Sequence, residues 1–344
     1  MIRLFYAERD TTLYEKYPKQ NTGIDQLLEL SKIASGSKFL GEIQANRYNS
    51  IYTNCIIYIP TISNGHVTSG SVYLTLKACS AQDLLHNYDI KAYPISESWT
   101  NGNGNFGDSP IQKYGSSWYY RTSDDIEDYW KTGSAHSDGQ VGTTEATYGG
   151  GTWITGSGYE ASQSFENESP DIRINVTDIV SKWLDGTITN NGFMVKRPYA
   201  DEISGEVLGN IQYFSRETHT IYVPRLEVCW DDSVISTTLS AISTDTYVPY
   251  IKNIKNEYRT SEIARFRVGV RPEFPSKTYQ TSSFYMTTER LPVSSSYEIS
   301  DSVTNDIIIK DKSKWVESAT KISVSNDGNY FDLRMDSFMP ERYY

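Results

Sequence analysis

Apolar residues recur at helical spacing in one short segment near the middle of the chain. The apolar face of this segment consists of Val176, Ile179, Val180 and Trp183. Asn175 or Thr177 is suited to cap the start of a helix here, and Gly192 tolerates the positive φ of a following tight turn. The pattern predicts a short amphipathic helix, a turn and then strands, with Trp183 in the core and Gly192 in a structural role.

Most of the remaining pattern is short alternation of apolar and polar residues, which is typical of strands buried on one face. In the first 232 residues it predicts strands at 2–6, 11–14, 27–30, 39–45, 51–59, 71–79, 88–95, 192–196, 211–215 and 221–230. The clearest alternation after residue 250 places Ala264, Phe266, Val268 and Val270 on one face and Arg265, Arg267 and Arg271 on the other. A Ser-Asn-Asp-Gly-Asn run at 325–329 is a strong turn signal between two strands.

Residues 233–250 are rich in Ser and Thr, carry few charges and separate two sets of predicted strands. The sequence therefore predicts an all-β protein with a first domain at 1–232, a linker at 233–250 and a second domain at 251–344. About seven short strands in this last span are typical of a small immunoglobulin-like (Ig-like) β-sandwich.

Short motifs lie at both ends of the first domain. They consist of Asp10, Thr11, Pro18, Asn21, Gly23, Leu28 and Leu30 near its start, and of Val176, Thr177, Trp183, Gly186, Asn191, Gly192, Phe193, Ser215, Arg216, Glu217, Pro224, Arg225, Leu226 and Val228 near its end. In order and spacing these residues resemble the DNRLRE-type module, a jelly-roll sandwich akin to carbohydrate-binding modules. The resemblance implies an N-terminal jelly-roll β-sandwich with one short helix and a structural Arg225. It says little about function, because one fold serves many functions.

The segment 96–165 is a long loop insertion in this pattern, rich in Gly, Ser, Tyr and Trp. The aromatic residues that we expect to be exposed there include Trp99, Phe106, Trp118, Tyr120, Trp130 and Trp153. Three interpretations are open: a platform on which sugar rings stack, a protein–protein interface, where Tyr and Trp are common hot-spot residues, or a loop folded over the sandwich and packed by its own aromatic side chains.

The net charge of −11 is unevenly distributed along the chain. Residues 245–344 contain 14 acidic and 14 basic residues, so residues 1–244 contain 29 acidic and 18 basic residues and carry the whole excess. This excess disfavours nucleic acid as a partner, since phosphate contacts need clustered Lys and Arg. It is compatible with cation binding or with a basic protein neighbour.

Catalytic motifs are absent from the sequence: the four histidines lie in no metalloprotease pattern, and there is no nucleophile elbow and no P-loop. A chain with 43 acidic residues supplies paired carboxylates by chance. We therefore expect no catalytic residues and no cofactor that the protein requires. A structural calcium ion is the one metal considered, at the loops Asp124–Asp128 or Asp301–Asp306, because Ca²⁺ prefers carboxylate and carbonyl oxygens.

Cys55, Cys79 and Cys229 lie in strand-like runs without metal-binding spacing, and we interpret them as buried small hydrophobic residues of a protein made in a reducing compartment. No apolar run is long enough to span a membrane. The first residues enter a predicted strand instead of an apolar signal segment. With Met1 as the native start, we expect synthesis in a host cytoplasm without a signal peptide.

These features favour a non-enzymatic structural or interaction protein. The chain looks like the two-domain virion proteins of large tailed bacteriophages, in which a DNRLRE-like jelly roll is followed by an Ig-like domain. This resemblance implies a place in the neck, tail, baseplate or fibre and contacts with other virion proteins in a symmetric assembly. We expect the 96–165 segment to be the contact surface, because its Trp and Tyr side chains give a large contact area at little cost in rotamer entropy. The alternatives are a carbohydrate-binding module protein, secreted or receptor-binding, and a polysaccharide-degrading enzyme.

Overall fold

The computed structural model describes residues 1–34, 50–58, 70–123, 127–130, 150–198, 200–201, 206–274, 288–310, 319–340, 342 and 344. It is nearly all β, with several antiparallel sheets, so the predicted all-β class is confirmed. Contacts divide the described residues into two compact units. The larger unit contains those from Phe5 to Glu227 except Gly70, and the smaller unit contains Met1–Leu4, Gly70 and Val228–Tyr344.

The described elements are mostly strands of three to ten residues. In chain order they are β1 (Ile2–Tyr6), β2 (Arg9–Tyr14), β3 (Leu27–Ala34), β4 (Ser50–Tyr58), β5 (Ser71–Leu76), β6 (Ala78–Gln82), β7 (Asn87–Pro94), β8 (Tyr120–Ser123), β9 (Glu127–Tyr129), β10 (Ala161–Glu166), β11 (Ile172–Asn175), α1 (Thr177–Leu184), β12 (Phe193–Lys196), β13 (Gly209–Phe214), β14 (Arg225–Cys229), β15 (Tyr247–Ile251), β16 (Ile263–Pro272), β17 (Ile299–Ser300), β18 (Ile307–Ile309), β19 (Ser323–Ser325), β20 (Gly328–Arg334) and a 3-10 turn (Met335–Ser337).

Two sheets contain most of the strands up to β14. One has four strands in the order β1-β14-β5-β11. The other has eight, in the order β10-β7-β12-β4-β3-β13-β6, with β2 paired to β4 beside this path. Burial alternates along β5, β13 and β14, as it does when two sheets pack face to face. The architecture is therefore that of a β-sandwich, while the jelly-roll topology itself stays a prediction.

The strand predicted at 71–79 is two strands in the structure. β5 pairs with β11 in the four-stranded sheet, whereas β6 pairs with β13 in the eight-stranded sheet. The chain changes sheets at Lys77, whose Nζ lies 2.5 Å from a carboxylate oxygen of Asp171, and Ala78 N donates to the other oxygen at 2.9 Å. The apolar alternation runs up to this corner without a break, so the sequence pattern gives no sign of it.

The helix predicted after β11 is present as α1. Ile179, Val180 and Trp183 are its buried residues, and the Trp183 and Phe193 rings lie 4.6 Å apart. Gly192 has a φ of 96° in the turn before β12, which only glycine adopts without strain. None of the helices in the described part of the chain is long and apolar enough to cross a membrane.

β12 is buried on both of its faces. Phe193, Met194, Val195 and Lys196 are all 0% exposed, although alternate residues of a strand point to opposite sides of a sheet. α1 contacts the Phe193 side through Trp183. The side of Met194 and Lys196 must therefore be covered as well, and the covering residues come from the segment that follows β7.

The smaller unit contains a four-stranded sheet in the order β15-β16-β20-β19 and the two-stranded pair β17-β18. The alternation predicted for 263–272 is confirmed, because Ala264, Phe266, Val268 and Val270 are buried while Arg265 is exposed. Ser325 pairs with Gly328 across a two-residue turn between β19 and β20, and Gly328 has a φ of 113°. The Ig-like topology stays a prediction.

Residues 233–250, predicted as a linker, are hydrogen-bonded within the smaller unit. Ile235 bridges Val324 and Ala241 bridges Arg290, and β15 begins at Tyr247. Their Ser/Thr-rich composition indicates that few of their side chains enter a core. Backbone pairing does not depend on side-chain polarity, so these residues can still join the sheet. Whether the two units fold independently stays a prediction.

Candidate functional site

The five residues of the 96–165 segment that were predicted to make contacts lie in the interior. Trp99, Trp118, Tyr120, Trp130 and Trp153 are between 0 and 5% exposed. The four tryptophans form one core cluster, which we call the tryptophan cluster, with Leu13, Tyr93, Ile95 and Met194. Because three of these partners belong to β2, β7 and β12, the segment packs against the eight-stranded sheet and covers the side of β12 that holds Met194.

Two of these tryptophans also use their ring N–H groups inside the protein. Trp99 Nε1 donates to Asn191 O at 2.8 Å, and Trp130 Nε1 donates to Ser117 O at 3.0 Å. The buried Lys196 places its Nζ 3.9 Å from the centroid of the Trp153 ring, which is a favourable cation–π distance. Each contact fixes the orientation of a ring in the interior.

The expectation that these five side chains are exposed is therefore wrong. Side chains this deeply buried present no face to a sugar ring or to a partner protein, and their packing matches the third interpretation, a loop folded over the sandwich. The sequence contained one signal of this. The run Phe193-Met194-Val195 is apolar without alternation, as in strands that are covered on both faces.

The other predicted residues have local partners. Arg225 Nη2 lies 3.1 Å from Glu227 Oε1, and Arg173 Nε lies 3.0 Å from Glu227 Oε2. Cys229 is buried, but Cys79 is exposed on the edge strand β6, so the interpretation of all cysteines as buried is wrong for Cys79. The side chain of Cys55 lies outside the described residues.

The described residues of the two candidate calcium loops give no ligand set. Asp124 and Asp125 lie outside the described residues, and Asp128 pairs with Arg121. In the second loop, Asp301 Oδ1 accepts hydrogen bonds from Val303 N at 2.8 Å and Thr304 N at 3.0 Å. Within the described ranges, no group of three or more His, Cys, Asp or Glu side chains is placed to hold a metal ion.

Apolar side chains are exposed on a pair of loops beside the tryptophan cluster. We call residues 20–25 and 101–116 the rim loops, and their exposed apolar residues Ile24, Phe106, Ile111 and Tyr114 the rim patch. These four side chains are between 39 and 49% exposed. The Phe106 ring lies 4.7 Å from the ring of Tyr14 and 5.4 Å from the ring of Tyr17. The rim patch is thus supported by aromatic residues beneath it.

Asn21, from the Asn-x-Gly motif, fixes one rim loop against the other. Its Oδ1 accepts from Gly104 N at 2.8 Å and from Gly23 N at 3.1 Å. Its Nδ2 donates to the carbonyl oxygens of Asn101 and Ser116, both at 2.7 Å. The side chain is 0% exposed, so both donors and both acceptor positions of a buried amide are satisfied.

Glycine is required at the point where the rim loops touch. Gly102 has a φ of 87°, and a Cβ atom there would lie 2.2 Å from Tyr114 O and 2.3 Å from Asn21 Oδ1. Side chains are strained at such a φ and do not fit at such distances. The Gly-Asn-Gly run of this segment thus allows close backbone packing, and the loops that carry Phe106 are held by many contacts.

Carboxylates lie beside Phe106. Phe106 N donates to both oxygens of Asp25, at 3.1 and 3.2 Å. Burial raises the pKa of Asp25 to about 6 against the lowering effect of this hydrogen bond, and the charges of Glu29 and Asp108 raise it further. Asp108 Oδ2 accepts from Asn105 N at 2.8 Å. The rim patch is therefore bordered by acidic groups.

The motif residues at the two ends of the larger unit meet behind the rim loops. Asp10 is 2% exposed, and its Oδ2 accepts from Arg216 N at 2.7 Å. Burial raises the pKa of Asp10 to about 7, which exceeds the lowering effect of this hydrogen bond. Ser215 N donates to Gln26 O at 3.0 Å. Ser215 Oγ also donates to Asp25 O, so these contacts connect the first rim loop to the segment Ser215-Arg216-Glu217.

A cavity of about 260 Å³ lies elsewhere in the larger unit, between the starts of β10 and α1. Glu160, which lines it, already accepts from Lys91 Nζ and Gly156 N, each at 3.2 Å. Ligand pockets usually exceed about 300 Å³ and are mostly apolar. We therefore place the candidate functional site at the rim patch.

Comparison with models of protein families finds no match, and comparison with curated proteins likewise finds none.

Proposed function

We propose that the chain is a non-enzymatic structural protein of a tailed-phage virion, in its neck, tail, baseplate or fibre, and that the rim patch contacts a neighbouring virion protein. The observation that carries this proposal is the exposure of four apolar side chains on loops that the buried Asn21 holds together. Exposed apolar patches mark interaction sites, and a pre-ordered surface loses little conformational entropy on binding.

The charge beside the rim patch supports a basic partner surface. Asp25 accepts a hydrogen bond from Phe106 N, and the charges of Glu29 and Asp108 act on Asp25. The first 244 residues carry the whole net charge of −11. Complementary charge accelerates association and fixes orientation. Binding should therefore weaken as ionic strength rises, because salt screens exposed charges over about 10 Å at 0.1 M.

The virion context rests on the sequence resemblance to two-domain phage proteins. Copies of such proteins assemble symmetrically through protein contacts, for which an apolar patch with a polar border is the usual anatomy. The rim patch supports the non-enzymatic part of the proposal, because a contact surface needs no catalysed reaction.

The test is co-sedimentation of the full chain with purified particles of the encoding phage that lack this protein. Phe106→Ser removes the rim-patch side chain that packs on Tyr14 and Tyr17. Leu85→Ser, at a site of similar exposure outside the rim loops, is the matched control. We expect Phe106→Ser to weaken binding by about tenfold or more, as for an interface hot spot, and Leu85→Ser to bind like the unchanged chain. Equal binding by both variants would contradict the proposal.

Point substitutions are preferred to deletion of the segment, because the tryptophan cluster covers the side of β12 that holds Met194. The alternative function is tested on a glycan array with the same two variants. Binding to a defined glycan that Phe106→Ser abolishes and Leu85→Ser retains would favour the carbohydrate-binding function over the virion contact.

A further inference from the structure

A second surface with the composition of an interface lies on the smaller unit. On the outer side of the β15-β16-β20 sheet, strand register places Tyr250 opposite Gly269 and Arg267 opposite Tyr330, and Lys252 N donates to Arg267 O at 2.8 Å. We call this surface the arginine face. It consists of Tyr250, Lys252, Ile263, Arg265, Arg267, Arg271 and Tyr330.

Several side chains of the arginine face are held in place by their neighbours. A Cβ atom on Gly269 would lie 2.4 Å from Cζ of Tyr250, so the tyrosine ring lies across the glycine. The Arg265 guanidinium lies 4.2 Å from the Tyr330 ring centroid, and it donates to both oxygens of Asp332 at 2.8 Å. Aromatic residues and arginine are enriched in interfaces.

The charges of the arginine face favour an acidic protein over a phosphate polymer. Arg265 already uses its paired donors on Asp332, and Arg267 lies 3.5 Å from Asp327, so these arginines do not present free forks of the kind that bind phosphate. Lys252 is exposed, and Arg271 lies on the same face. The face keeps an excess of positive charge beside apolar area from Tyr250 and Ile263.

The larger unit carries a complementary surface, which we call the acidic edge. It consists of the exposed acids Asp89, Glu160, Glu166, Glu168 and Asp178. β10 is the end strand of its sheet in the described order, and Ser164 of β10 pairs with Asp89 of β7. Glu160 and Asp178 line one cavity. Lys91 is bonded to Glu160, so the edge keeps an excess of negative charge.

We propose that the arginine face of one copy of this chain docks on the acidic edge of a second copy. This inference rests on the proposed function, because it names how copies associate in an assembly. The two surfaces differ, so the contact is head-to-tail, and repetition of such a contact builds a ring or an open filament. Complementary charge gives the contact its orientation and its salt dependence.

Sedimentation of the full chain over a range of concentrations tests this docking. The variant Lys252→Glu/Arg271→Glu reverses the net charge of the arginine face, and Glu166→Lys/Glu168→Lys removes the net negative charge of the acidic edge. We expect the unchanged chain to self-associate more weakly in high salt, and each variant alone to lose at least about tenfold in association constant. An equimolar mixture of the two variants should recover association, because each supplies the surface that complements the other.

Circular dichroism checks that both variants are folded, and the single changes Lys252→Glu and Glu168→Lys serve if a double variant is not. A monomeric unchanged chain at every concentration, association insensitive to either variant, or no recovery on mixing would each overturn the inference. Binding of an anionic polymer by the unchanged chain that Lys252→Glu/Arg271→Glu abolishes, with no self-association of the unchanged chain, would assign the arginine face to that polymer instead. Co-sedimentation that depends on Phe106 without any self-association leaves the proposed function standing and refutes only this docking.

Discussion

Replacing Asn21 with alanine should destabilise the larger unit and remove the hydrogen bonds by which its side chain joins the two rim loops. The Asn21 side chain makes four hydrogen bonds of 2.7 to 3.1 Å while fully buried. A net contribution of about 1 kcal/mol for each bond gives a loss of about 4 kcal/mol. Alanine cannot replace any of these bonds, and it leaves the amides of Gly23 and Gly104 without this acceptor in a buried site.

Urea unfolding of the full chain, followed by tryptophan fluorescence, measures this loss. Asn103→Ala is the matched control, because Asn103 is exposed in the other rim loop, and we expect it to change the free energy of unfolding by less than about 0.5 kcal/mol. Hydrogen exchange should show faster exchange of the Gly104 amide in Asn21→Ala. Equal unfolding free energies for the two variants would refute the role of Asn21.

Three further substitutions test separate parts of the structure by thermal or urea unfolding. Gly102→Ala should lower the free energy of unfolding by more than about 2 kcal/mol, because alanine is strained at this positive φ and its Cβ atom would overlap backbone atoms. Gly107→Ala should be neutral, because the space around its Cβ position is open. Equal losses in the two variants would contradict the close approach of the rim loops. In the unchanged chain the pKa of Asp10 is about 7 when folded and about 3.8 when unfolded, so its deprotonation disfavours folding and the free energy of unfolding should fall between pH 4 and 7, by on the order of 4 kcal/mol above pH 7. Asp10→Asn should remove this fall. A difference in unfolding free energy between the two proteins that does not change with pH would contradict this prediction. Trp183→Ala should lose about 3–5 kcal/mol as a large-to-small core change, and a loss below about 1 kcal/mol would contradict its burial.

Local patterns predicted the elements that are buried on one face. The apolar spacing through Trp183 predicted α1, and the alternation from Ala264 to Val270 predicted β16. Turn chemistry predicted the turn before Gly328, because the φ that glycine permits is a property of a single position. Such features depend on neighbours within a few residues, and these are visible in one sequence.

The candidate site depended on contacts that are distant in sequence. The tryptophan cluster joins Leu13, Trp118 and Met194, so a Gly/Ser-rich segment that has no helical or strand period is nevertheless buried. Asn21 bonds to residues 80 to 95 positions away. Neither set of contacts produces a periodic pattern in the sequence. The rim patch with Phe106 can be identified only when these contacts are known, because they determine which side chains remain exposed.

Hydroxyl-radical footprinting of the free chain and of the chain in phage particles tests the central claim most directly. In the free chain we expect Phe106 and Leu85 to be oxidised and Trp153 to be protected, because the first two are exposed and Trp153 is 0% exposed. In the particle, Phe106 should become protected while Leu85 stays reactive. Oxidation of Trp153 in the free folded chain, or oxidation of Phe106 at the same rate in both states, would contradict the account.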